Sequence, residues 1–130
     1  MIGILIFTHG DLGSTLKAEA ERLTGEQEEV QCARLHPEET IEALTNRIEG
    51  LVNSLDKGSG VLVLVDVVGG TPWNISGKLR RNTSSRKIRC IGGGGLPLFI
   101  KAFQEYKNIT DLEEWAESLV EYSLSRMKAH

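Results

Sequence analysis

Met1-Ile2-Gly3-Ile4-Leu5-Ile6-Phe7-Thr8-His9-Gly10 opens the chain, and the reading of this run decides the fold class. Ile2, Ile4, Leu5, Ile6 and Phe7 favour strand, and the apolar residues are near-continuous rather than alternating. A strand of that kind is buried on both faces, as in a parallel sheet. The run stops abruptly at Thr8-His9-Gly10, so the first chemically versatile side chain stands at a strand's carboxyl end. In open α/β sheets, ligands bind outside those ends.

The same pattern returns at Val61-Leu62-Val63-Leu64-Val65, which is bounded by Gly60 and Asp66. This is the strongest strand in the sequence and reads as a central one. Two weaker strands are predicted. Val30–Leu35 carries Gln31 and Arg34 and reads as an edge strand. Lys87–Ile91 leads into Gly92-Gly93-Gly94-Gly95.

Helical spacing fills the intervals. Leu12, Leu16, Ala20 and Leu23 form one stripe, with Lys17, Glu19, Glu21 and Arg22 toward water. Asp11 or Ser14 is the expected cap at its start and Gly25 at its end. His36-Pro37-Glu38-Glu39 is read as opening a second helix, because proline suits a first turn and acids suit the positive helix end. Its stripe is Ile41, Leu44, Ile48, Leu51, Val52 and Leu55. A short helix is predicted from about Pro72 to Arg81, and another from Leu96-Pro97 through Phe99, Ile100, Phe103 and Tyr106. Asp111 caps the last helix with Glu114 at capping-box spacing, and its apolar face is Leu112, Trp115, Ala116, Leu119 and Met127. Strand and helix alternate, which implies parallel strands, right-handed crossovers and helices on both faces.

The totals set bounds. A chain of 130 residues fits a single domain, 1–130. A formal net charge of -3 argues against a general affinity for nucleic acid. No apolar run approaches the ~20 residues that span a bilayer, and the N-terminal run has neither a basic leader nor a small-residue cleavage site. A cytoplasmic protein is expected. Cys32 and Cys90 form no CxxC pair and are read as buried, reduced thiols. There is no three-ligand cluster, so no metal is expected, and no cofactor.

His9 and Asp66 end the first and third strands. If those strands are neighbours, imidazole and carboxylate share one crevice. A carboxylate on one ring nitrogen fixes the tautomer and leaves the other nitrogen free as a nucleophile. Val67-Val68-Gly69-Gly70-Thr71-Pro72-Trp73-Asn74 follows. Its glycines permit a tight turn close to a ligand. Thr71 suits an N-cap and Pro72 a first helical position, so free N–H groups would face the crevice as an anion site. Together these residues suggest a phosphorylatable histidine, with Thr8, Gly10, Gly70 and Thr71 as phosphate contacts. The Gly92–Gly95 run has no Lys-Ser/Thr partner of a P-loop and is read as a rim loop.

Thr8-His9-Gly10 with Val65-Asp66-Val67-Val68-Gly69-Gly70-Thr71-Pro72-Trp73-Asn74, each after a buried strand, resembles the mannose-family enzyme IIA component of the bacterial phosphoenolpyruvate:sugar phosphotransferase system. The resemblance extends through Gly25-Glu26-Gln27 and Leu96-Pro97-Leu98. It implies a sheet in the order 2-1-3-4. It also implies that His9 takes a phosphoryl group from phospho-HPr and passes it to a histidine of a IIB component, with Asp66 orienting the ring. IIB then serves the membrane components IIC and IID.

Three features depart from the family pattern. Thr71 stands where serine is frequent. Val67 and Val68 stand where a hydroxyl residue and an aromatic are frequent. The residues at hand close on Met127-Lys128-Ala129-His130, without the exchanged strand and Ala/Pro-rich linker to a IIB domain seen in well-known members. A homodimer stays open. Two rival readings are a dihydroxyacetone kinase phosphotransferase-like subunit, which the Gly-Gly-Thr-Pro turn disfavours, and a standalone regulatory phosphoprotein.

Overall fold

The computed structural model of the chain describes residues 1–82 and 87–130. Its elements are β1 (Gly3–Thr8), α1 (Leu12–Thr24), β2 (Gln31–Arg34), α2 (Ile41–Leu55), β3 (Val61–Val65), α3 (Thr71–Asn82), β4 (Ile88–Gly92), α4 (Leu96–Glu105) and α5 (Leu112–Ser125), with a 3-10 turn at Tyr106–Asn108. The strands form one sheet in the order β2-β1-β3-β4. Every pairing is parallel. This is the three-layer α/β architecture that the sequence implies.

The alternation of side chains along β1 and β3 supplies both layers of core. Ile4, Ile6, Leu62 and Leu64 pack with Ala20 of α1, Leu98 and Phe99 of α4, and Trp115 and Leu119 of α5. Leu5, Phe7, Val63 and Val65 pack with Leu44, Ile48 and Val52 of α2 and Ile75 and Leu79 of α3. All residues of β1 and β3 are buried, whereas β2 at the edge buries only Ala33. That difference is the physical basis of the near-continuous apolar runs in the two central strands.

Topology fixes where a site can form. From β1 the chain winds to β2 on one side, then crosses to β3 on the other. The winding therefore reverses between β1 and β3, and a crevice opens at their carboxyl ends. The register sets Gly3 opposite Val61 and Phe7 opposite Val65. The two strands thus end within a residue of each other, β1 just before His9 and β3 just before Asp66. The Gly25-Glu26-Gln27 stretch has a structural part: buried Gln27 accepts a hydrogen bond from the Tyr106 hydroxyl at 2.8 Å and ties the α1–β2 loop to the end of α4.

Several local expectations need correction. Leu12 and Leu23 are exposed, and α1 turns Gly13 and Ala20 inward instead. The cause is close approach: a Cβ on Gly13 would lie 2.7 Å from Ile6 Cγ2 and 2.8 Å from Thr8 Oγ1. The helix docks through a glycine, which turns Leu12 and Leu23 outward while Leu16 stays packed against the core. Neither Asp11 nor Ser14 caps α1 by its side chain: Asp11 makes no cap bond, and Ser14 Oγ donates to the Asp11 carbonyl. The Thr8 hydroxyl accepts from Gly13 N–H at 2.8 Å. Gly25 does close the helix with positive φ, and its N–H donates to the Glu21 carbonyl.

Pro37 does not open α2. Glu39 N–H donates to the His36 carbonyl in a separate turn, and the helix begins at Ile41 with Thr40 as cap, its hydroxyl accepting from Ala43 N–H at 3.0 Å. Ile41 then lies outside the stripe and is exposed. Met127 lies past the end of α5 and is also exposed. Both thiols are free as expected, but Cys32 is exposed on the edge strand and Cys90 only half-buried. No helix among the described residues is long and apolar enough to cross a membrane.

Candidate functional site

His9 and Asp66 meet at the switch point. His9 Nδ1 lies 2.9 Å from Asp66 Oδ2, and the same oxygen accepts the His9 backbone N–H at 3.1 Å. Oδ1 accepts Val67 N–H at 3.1 Å. Each carboxylate oxygen is thus engaged by a donor, and one of them clamps both the ring and the main chain of His9. An ionised carboxylate only accepts, so Nδ1 carries the ring proton and Nε2 keeps its lone pair in the neutral imidazole. The Asp66 side chain is 8% exposed and that of His9 49% exposed. The carboxylate is therefore buried beneath a ring that is open to solvent.

Burial alone raises the Asp66 pKa. The hydrogen bonds from the His9 ring and backbone outweigh it, and the carboxyl is held below its usual range. Asp66 is thus an anion at neutral pH. A carboxylate so placed can stabilise positive charge on the ring.

The turn after Asp66 completes the crevice. Gly70 N–H donates to the Val67 carbonyl at 3.3 Å, and Asn74 Nδ2 donates to the Gly69 carbonyl at 3.3 Å. Asn74, to which the sequence pattern assigns no task, pins the loop. A Cβ on Gly70 would lie 3.2 Å from His9 Cε1, so the bare glycine gives the ring its seat. The Gly70 carbonyl accepts Asn74 N–H at 3.0 Å. Gly70 therefore occupies the cap position expected of Thr71, and Thr71 is the first residue of α3. Pro72 has no N–H to leave open. Among the described residues, the N–H groups of Thr71 and Trp73 have no protein acceptor. They stand at the positive end of α3, beside Gly70.

The remaining expected contacts divide. Gly10 has φ +53° and is exposed beside His9. Thr71 is half-buried, and its hydroxyl has no hydrogen-bond partner among the described residues. Thr8 is different: it is 1% exposed, with its hydroxyl taken up by Gly13. Its hydroxyl holds the start of α1 under the site. Val67 and Val68 are exposed and give the rim an apolar character. Gly92 lies against Val68 and Trp73, so the glycine run does border the site loop.

Arg34, a polar residue of the edge strand, ends β2 opposite Thr8 and pairs with Asp11 at 2.5 Å. Of the two thiols, Cys32 borders a hollow between Arg34 and Gly10, and burial pushes Cys90 up to about 12. Among the described residues, no group of three or more His, Cys, Asp or Glu side chains is placed to share a metal ion.

Known proteins carry the same arrangement of elements. The family model described as PTS system fructose IIA component, EIIA-man, matches residues 3–120. The mannose-specific EIIAB component of Escherichia coli K12 is 30% identical over 128 residues, which are 98% of this chain and 39% of that protein. The chain therefore spans about two fifths of that relative's length. The fructose-specific EIIA component of Bacillus subtilis is 24% identical over 132 residues, covering 100% of this chain and 89% of the relative. Among solved structures, the EIIA component from Streptococcus agalactiae superposes with a TM-score of 0.88 at 22% identity, covering 99% of this chain and 97% of that one. The IIA protein associated with the fucose utilization operon of Streptococcus pneumoniae gives 0.82 at 28% identity, covering 98% and 91%.

Proposed function

The chain belongs to the EIIA-man family of phosphotransferase-system IIA components, and from that premise we propose that it carries a phosphoryl group on His9 Nε2 between phospho-HPr and a IIB histidine. Family membership itself supports the general role of a sugar phosphotransferase-system phosphoryl carrier. In this reading residues 1–130 act as a single IIA domain. The observation that carries the finer step is the 2.9 Å contact between Asp66 Oδ2 and His9 Nδ1, which leaves Nε2 as the nitrogen with a free lone pair.

The transfer balances without a proton moving to solvent. The Nε2 lone pair attacks phosphorus in line with the donor's P–N bond. That bond breaks, and the donor imidazole keeps its electron pair. The new phosphoimidazole gains positive ring charge, which faces the Asp66 carboxylate. The loose transition state leaves positioning and charge stabilisation as the main tasks of the protein. The open N–H groups of Thr71 and Trp73 supply donors for phosphoryl oxygens. Passing the group to IIB repeats the step in reverse with a second imidazole. The membrane components IIC and IID enter only through IIB.

The apolar rim of Val67 and Val68 suits a brief encounter with a protein partner, since it offers little charge to desolvate. The test is incubation with phosphoenolpyruvate, enzyme I and HPr, followed by mass spectrometry under conditions that preserve acid-labile phosphate. One phosphoryl group on the wild type and none on His9→Ala is the expected result. Labelling of His9→Ala at the wild-type level would move the site elsewhere.

A further inference from the structure

His9 is flanked on its β2 side as well as its β3 side. Arg34 stands opposite Thr8 in the register, one residue before His9. Its Nη1 donates to Asp11 Oδ1 at 2.5 Å, which draws the guanidinium toward the turn that follows His9. Arg34, Thr8, Gly10 and Ser14 line one small hollow of about 100 Å³. The Arg34 backbone is fixed from behind: Arg47 Nη2 donates to its carbonyl at 2.8 Å while Glu39 holds the Arg47 head. Among the described residues, Nε and Nη2 of Arg34 have no hydrogen-bond partner. The side chains of Arg34 and Asp11 are 51% and 77% exposed. A lone ion pair in that setting adds little to stability, so its position calls for another explanation.

Resting on the phosphoryl-carrier reading, we propose that Arg34 is a second ligand of the phosphoryl group on His9, held ready by Asp11. The group brings close to two negative charges at neutral pH. The donors of α3 meet it from one side. On the other side a guanidinium fork can keep Nη1 on Asp11 and turn Nε and Nη2 to a phosphoryl oxygen, because its donors are coplanar and fixed in geometry. Asp11 then acts as a positioning residue. It holds the cation at the site before phosphate arrives, and the cation keeps the two anions from facing each other directly.

The test uses the full chain and potassium phosphoramidate, a donor too small to need a docking surface. Its P–N bond breaks as the His9 Nε2–P bond forms, and ammonia leaves with the electron pair. In Arg34→Gln the labelling rate falls roughly tenfold, as expected for losing a hydrogen bond to a charged group. The phosphorus resonance of the phosphoprotein then titrates at higher pH than in the wild type. Arg34→Lys restores part of both effects. A wild-type rate with an unchanged phosphorus titration in Arg34→Gln overturns the proposal. So does a defect seen with phospho-HPr and absent with phosphoramidate, which assigns Arg34 to partner docking. Failure of wild-type His9 to label with either donor overturns the carrier reading and this proposal with it.

Discussion

His9 Nδ1 and Asp66 Oδ2 lie 2.9 Å apart although 57 positions separate them in sequence. The contact exists because β1 and β3 are adjacent parallel strands that end within a residue of each other. It selects one tautomer and one nucleophilic nitrogen. Asp66→Asn keeps the shape but offers an amide that bonds either nitrogen and carries no charge. We expect phosphoryl acceptance from phospho-HPr to fall by at least roughly 10–100-fold, the scale for removing a carboxylate that orients a metal-bound imidazole. Near-UV circular dichroism should be unchanged. A rate within twofold of the wild type removes Asp66 from the mechanism.

The same carboxylate gives stability a pH signature. Burial raises its pKa, but the bonds from His9 more than reverse this, so the folded value is depressed. The unfolded chain, with Asp near 3.9, then binds more protons than the folded one just below that pH. The stabilisation is fully present above about pH 3.9 and is lost as pH falls through the lower folded value. Urea midpoints from pH 5 down to 2.5 should drop more steeply for the wild type than for Asp66→Asn. Parallel curves would show that this carboxylate contributes nothing to acid sensitivity.

The sequence made the central strands legible because a doubly buried strand admits almost no polar residue. Hence Ile2–Phe7 and Val61–Val65 could be placed with their chemical ends, His9 and Asp66. What stayed hidden depended on neighbours rather than period. The face of α1 is set by how closely Gly13 approaches Ile6 and Thr8, which a stripe of leucines does not encode. The Gly-Gly-Thr-Pro turn announced a helix start, yet its capping carbonyl belongs to Gly70, one residue earlier than the side-chain pattern suggested. Arg34 looked like solvent-facing decoration because its meaning comes from the parallel register with Thr8.

The start of α2 separates two sequence signals. Thr40 accepts the Ala43 N–H, whereas Pro37 lies in the preceding turn. Thr40→Ala should cost about 1 kcal/mol, the usual value of a lost hydroxyl cap. Pro37→Ala should cost less than about 0.5 kcal/mol, since no helical position is lost. Chemical denaturation of both variants decides the order. A larger loss from Pro37→Ala would restore the proline as the start signal.

Packing between α1 and β1 predicts a different response. Gly13→Ala forces a methyl against Ile6 Cγ2 and the Thr8 hydroxyl. Overpacking of this kind costs typically 1–3 kcal/mol. The variant should unfold at lower urea with an unchanged slope. Stability equal to the wild type would mean that the helix can lift off the sheet without loss.

Gly70→Ala probes the reactive ring without touching its partners. The Gly70 φ is not positive, so alanine avoids the left-handed penalty there, although it is a weaker helix cap than glycine. The new methyl lies 3.2 Å from His9 Cε1, a tight contact that the ring relieves by tilting. Tilting lengthens the Nδ1–Asp66 bond and turns Nε2 away from the donors of α3. Misplacement on the order of 1 Å costs roughly a hundredfold in transfer, so the smaller shift here should cost about tenfold. Thermal unfolding should move by only about 3–5 °C, the scale of a cap weakened by roughly 1 kcal/mol, because the ring is half-exposed and little packing is lost. The expected result is therefore a slow carrier with modestly reduced stability. A variant that transfers normally would show that the ring needs no seat at Gly70.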